Sequence, residues 1–101
     1  MQALLTQTTL RLTFDGDLLS TNVDALRNEI LAALAQHPGA QTIVANLSNC
    51  RLVDSKGVNL LIALYRESEH RKLAFMVENP TADVRRLLML LNLTTRFGLA
   101  T

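Results

Sequence analysis

The chain has 101 residues, 49% of them hydrophobic and only 4% aromatic, a length for one domain and a composition that builds its core from aliphatic side chains without metal or disulfide. Ten Lys and Arg stand against nine Asp and Glu, a net charge of +1, and the cations are dispersed, so nucleic acid is not an indicated partner. The single Cys50 has no internal disulfide partner, and no stretch reaches the about 18 uncharged apolar residues of a membrane span. The expectation is one cytoplasmic domain over residues 1–101, with no membrane segment.

Taken in chain order, a weak strand is expected near residues 3–6. Leu10, Leu12 and Phe14 then alternate with Arg11 and Thr13, the period of a strand with one buried face, which Asp15-Gly16-Asp17 ends. From Asn22 the period lengthens. Val23, Leu26, Ile30 and Leu34 share one helical face, and Pro38-Gly39 stops the helix after His37. Residues 43–45 and 73–77 are short apolar runs of the kind found in strands covered on both faces, so both are placed at the centre of the sheet. A second helix over residues 55–71 lies between them, which makes the two strands parallel. Thr81 caps a third helix with the stripe Val84, Leu87, Leu88 and Leu91, residues 94–97 are expected to add a short edge strand, and residues 98–101 to fray. The fold class is α/β: a small mixed sheet of four to five strands flanked by about three helices.

The most informative segment runs from the buried strand into the second helix, through Val53-Asp54-Ser55-Lys56-Gly57-Val58. Asp54 and Ser55 fall where backbone N–H groups lack partners and the helix dipole is positive, so capping alone accounts for an Asp and a Ser there. Along the helix, Val58, Leu61, Ile62 and Tyr65 form the side laid on the sheet. Leu60, Ala63 and Leu64 point largely the other way, with Lys56 and Glu67 at their edges. That second face is either a protein interface or the seat of another helix of the same domain, and local pattern does not separate the two.

These residues resemble a known family. Asn46-Leu47-Ser48, the Asp54-Ser55-Lys56-Gly57-Val58 turn, Tyr65-Arg66, and Val84-Arg85-Arg86-Leu87-Leu88 with Asn92-Leu93 are similar to the STAS domain of bacterial anti-sigma-factor antagonists. The resemblance implies the STAS fold and a partner-switching role. In that role the unphosphorylated antagonist binds an anti-sigma factor, which is often also its serine kinase, of the histidine-kinase-like ATPase type. A phosphatase reverses the modification. The family's phosphorylated residue is the Ser directly after the motif Asp, here Ser55, and the implied partner surface is Asp54, Ser55, Lys56, Gly57, Leu60, Ala63 and Leu64. The chain departs from the usual Asp-Ser-Ser/Thr-Gly-Leu-Gly at Lys56, Val58 and Asn59, and Asp17 stands near the place of the acidic residue that often follows the second strand.

Competing chemistries find less support. Ser55 has no Gly-x-Ser-x-Gly elbow and no neighbouring base, so no catalytic residue is assigned and the chain is not expected to be an enzyme. His37 and His70 lie far apart with no Cys or carboxylate at ligand spacing, so no metal is expected. Gly16, Gly39, Gly57 and Gly98 are too scattered for a phosphate-cradling loop, and no cofactor is assigned. The alternatives kept are a scaffold or sensor-complex module without reversible phosphorylation, and a domain that binds a small ligand or nucleotide. Arg85 and Arg86 read as a solvated helix face, and Met89 and Leu90 leave a homodimer contact open.

Overall fold

The computed structural model describes residues 1–99. Its elements run β1 (Gln2–Thr6), β2 (Thr9–Thr13), α1 (Val23–Gln36), β3 (Thr42–Asn46), α2 (Ser55–His70), β4 (Ala74–Glu78) and α3 (Ala82–Leu90). The four strands form one mixed sheet in the order β1-β2-β3-β4. The first pair is antiparallel and the next two are parallel. Gln7 supplies the positive φ of 56° that closes the tight β1–β2 turn.

Strand register decides which side is core. Leu10, Ile43 and Phe75 are cross-strand partners, as are Leu12, Ala45 and Val77, and all six point to the face that the helices cover. Ile30 and Leu34 of α1, Val58 and Leu61 of α2, and Val84 and Leu88 of α3 join them in a single aliphatic cluster, closed at one side by the edge-to-face rings of Phe75 and Phe97. The opposite face aligns Leu4, Arg11, Val44 and Met76. None of these belongs to the core cluster; Leu4 is 63% exposed and Met76 40%. There Arg11 reaches across β3 to grip Glu78 with two hydrogen bonds, of 2.8 and 3.0 Å, and Asn46 donates a third at 2.9 Å.

Two expectations about the sheet are corrected. The run at 73–77 is an edge strand and not a central one: β2 and β3 occupy the middle, and Ala74 and Met76 face solvent on the open side. Residues 94–97 form turns. Within them the Phe97 carbonyl accepts one hydrogen bond, from Val77 N at 2.7 Å, but no ladder forms, because the chain is anchored by burying Leu93, Thr94 and Phe97. Of the residues expected to fray, Leu99 packs partly against the core, while Ala100 and Thr101 lie outside the described residues.

Candidate functional site

Above the carboxyl ends of β2 and β3 the chain makes two loops, residues 14–22 leading into α1 and residues 47–54 leading into α2. The parallel pairing of the strands continues past their ends. Phe14 N donates to Asn46 O at 3.2 Å, Leu18 N to Leu52 O at 3.0 Å, and Asp54 N to Leu18 O at 3.1 Å, making a parallel bridge between Leu18 and Val53.

Two aspartates fasten the loops reciprocally. Asp17 on the first loop accepts the N–H groups of Arg51 and Leu52 on the second, at 2.9 and 3.0 Å. Asp54 on the second accepts Ser20 N on the first at 2.8 Å, and with its other oxygen caps α2 by accepting Gly57 N at 2.9 Å. These donors favour the ionised form: the backbone N–H of Ser20, and then that of Gly57, hold the Asp54 carboxyl below its ordinary value. Asn22 closes the set, accepting Leu19 N and donating to Asp17 O.

The helix is admitted this close to the first loop because position 57 has no side chain. A Cβ there would stand 2.2 Å from the Leu18 carbonyl oxygen and 2.8 Å from Val53 Cγ1. The glycine is therefore a requirement of close packing.

Ser55 is the first residue of α2 and is exposed. Among the described residues its hydroxyl makes no hydrogen bond. It sits where the dipole of a 16-residue helix tolerates added negative charge. Lys56 beside it is exposed and lies over the seam with α1, near Asp24 and Arg27.

The remaining expected surface residues divide. Gly57 is buried beneath the first loop. Leu60 and Leu64 are 7% and 3% exposed, because α1 covers that side of α2 with Ile30 and Leu34. Their assignment to an outward partner surface is corrected: the second face of α2 is the seat of another helix. Ala63 is half-buried at the lip of the same seam. What stays accessible around Ser55 is Lys56, Asn59, Ser20, Thr21 and the edge of Asp54. Ser20 and Leu18 carry no signal in the sequence, since both act through their backbone groups. Asp17 was visible only as an acid near the right place.

Cys50 is buried, its thiol 3.4 Å from the Leu52 carbonyl, and desolvation pushes its pKa up. Thr81 caps α3 as expected, accepting Val84 N, and also donates to Cys50 O at 3.3 Å, which ties α3 to the second loop. Among the described residues no three His, Cys, Asp or Glu side chains are grouped as metal ligands, and no helix is long and apolar enough to cross a membrane.

The sequence profile described as "Mlab, STAS domain" matches residues 1–100. Among solved structures, the unphosphorylated form of the anti-sigma factor antagonist SpoIIAA is 28% identical with a TM-score of 0.79, over 99% of this chain and 87% of that one. The phosphorylated form of the Bacillus cell fate determinant SpoIIAA is 27% identical with a TM-score of 0.73, over 99% and 90%. An anti-sigma factor antagonist from Mycobacterium paratuberculosis shares the fold at 21% identity and a TM-score of 0.78, over 97% and 81%. No curated protein sequence matches the chain.

Proposed function

The chain belongs to the STAS domain family, and from that premise we propose that it is an anti-sigma-factor antagonist whose binding is switched by phosphorylation of Ser55. The observation that carries this reading is the setting of Ser55: an exposed, unengaged hydroxyl at the start of a long helix, on a platform that two aspartates hold fixed. Structural similarity to SpoIIAA, solved both with and without phosphate, supports it.

The physics of such a switch is local. A phosphate adds about −1.5 to −2 charges and a large hydration shell, which a helix amino terminus accepts and a docked protein surface does not. Binding is lost while the fold is kept. Asp54 stays ionised under its own donors and adds to the negative field. Lys56, where relatives usually carry a small hydroxyl residue, sits next to that field and tunes it. In this reading residues 1–101 act as one cytoplasmic domain. Its partners are an anti-sigma factor of the histidine-kinase-like ATPase type and a phosphatase, and Ser55 is a substrate and not a catalyst.

The test is incubation with ATP and the histidine-kinase-like anti-sigma factors of the protein's own source, with phosphate mapped by peptide mass spectrometry. Phosphate on Ser55 with coincident loss of binding is the expected result. Equal affinity of wild type and Ser55→Asp for such a partner would sink the switch.

A scaffold role without phosphorylation has one observation of its own. Met89, Leu90 and Leu91 are 50%, 75% and 46% exposed at the end of α3, an apolar patch suited to self-association. That reading requires a stable oligomer of the unmodified chain in sedimentation.

A further inference from the structure

Between α1 and α2, starting at Lys56, runs a groove that the Ser55 face leaves unexplained. It consists of two depressions, of about 300 and 520 Å³, that share Arg27, Asn59 and Ala63 and are therefore continuous. On α2 its wall runs from Lys56 through Asn59 and Ala63 to Arg66, about 15 Å at the helical rise. Ala63 and the edge of Leu60, which is 7% exposed, give it a narrow apolar strip, and Leu31 of α1 lies 43% exposed in the adjoining cleft.

The rim charge is one-sided. The side chains of Arg27, Lys56 and Arg66 form no ion pair or hydrogen bond among the described residues. Two carboxylates lie on the groove, and one of them, Glu67, is held by Arg71 at 2.8 Å, which leaves Asp24 alone against three unengaged cations. In a chain whose net charge is only +1, this is a local surplus beside an apolar strip. A groove that tracks single-stranded nucleic acid pairs its cations with aromatic side chains for stacking, and no Phe, Tyr or Trp lines this one. A segment with an apolar side and an acidic side matches both features.

We propose that this groove seats an acidic amphipathic helix of the protein partner. The Ser55 phosphate would stand beside Lys56 at the groove's mouth and repel that helix's carboxylates; this regulatory half rests on the reading of Ser55 given above. The groove then supplies what the buried apolar face of α2 does not: an accessible rim with a sign.

The probe is a synthetic helix-forming peptide with leucines on one side and glutamates on the other, titrated into the 15N-labelled full chain, beside a peptide with lysine in place of every glutamate. Saturable shifts at the amides of Arg27, Asn59 and Ala63 with the glutamate peptide alone are expected. Affinity should fall about tenfold in the double variant Arg27→Glu, Arg66→Glu, whose fold is checked by its own spectrum. No saturable shift, equal binding by the lysine peptide, undiminished binding by the double variant, or occupation of the groove by a short single-stranded oligonucleotide in preference to the glutamate peptide each overturns the proposal. The two readings fail separately. An anti-sigma ATPase that binds the double variant as tightly as wild type removes the groove and leaves the Ser55 face. A glutamate peptide that fills the groove of a chain no such ATPase binds keeps the groove and removes the partner.

Discussion

The α-carbon of Gly57 packs directly on the backbone of Leu18, so that the first turn of α2 and the loop entering α1 share one van der Waals surface. Two effects of Gly57→Ala then oppose each other. Alanine is favoured in a helix by about 1 kcal/mol over glycine. Its methyl would meet the Leu18 carbonyl at 2.2 Å, and this neighbour is backbone, itself hydrogen-bonded to Asp54 N. The clash wins. Gly57→Ala should lose about 1–3 kcal/mol in urea denaturation, and an unchanged midpoint would contradict the packing described.

Asp54 predicts a pH dependence. Its folded-state carboxyl is depressed by the N–H groups of Ser20 and Gly57, so its contribution is complete above the ordinary carboxylate value and is lost as pH falls through the lower folded value. Asp54→Asn should melt below wild type at neutral pH. The gap between the two melting temperatures should close as pH drops below about 4. A gap independent of pH would mean that the carboxylate charge has no part in holding the loops.

The helical pattern places Leu60 and Leu64 outward, whereas the fold buries both beneath α1. Leu60→Ala and Leu64→Ala should each cost about 2–5 kcal/mol of stability in chemical denaturation. Weakened partner binding with unchanged stability would restore the surface reading.

Ser55 behaves oppositely. It is exposed and unengaged, so Ser55→Ala should change stability by no more than about 0.5 kcal/mol. Ser55→Asp should be neutral or slightly stabilising, since an acidic group in the first helical turn favours the dipole. Calorimetry on both variants separates an effect on binding from an effect on folding.

On the open face, the Arg11–Glu78 pair is partly solvated, with side chains 36% and 28% exposed, and so contributes little despite its two hydrogen bonds. A double-mutant cycle with Arg11→Met and Glu78→Gln should return a coupling of about 1 kcal/mol or less, shrinking as salt is added.

What could be read from the sequence was what is local. Asp54 and Thr81 mark helix starts by their own chemistry, and of the stripe Val84, Leu87, Leu88 and Leu91 the first three form the inward side of α3, whereas Leu91 sits at the C-cap, where the helix ends, and is 46% exposed. Sheet order is not local. Residues 73–77 look like a central strand because every one is apolar, yet Ala74 and Met76 lie on the uncovered face of an edge strand. The second face of α2 failed for a related reason: periodicity tells that a side is apolar, and only tertiary packing tells whether α1 or another molecule covers it. The contacts of Asp17 and Asp54 join residues 34 or 35 apart and carry no pattern along the chain.

That last separation has a consequence for how the site comes into being. The platform under Ser55 is made by the Leu18–Val53 bridge, and the bridge exists only once β2 and β3 have zipped together around the whole of α1. A peptide of residues 47–66 would contain every letter of the motif and only the helix cap of its architecture. It would lack the Ser20 N–H, the Asp17 carboxylate and the Leu18 carbonyl, and of the contacts that hold the Asp54 carboxylate only its cap on Gly57 N would remain. The setting of Ser55 is therefore a property of the finished chain, and an unfolded copy carries the serine without the platform beneath it.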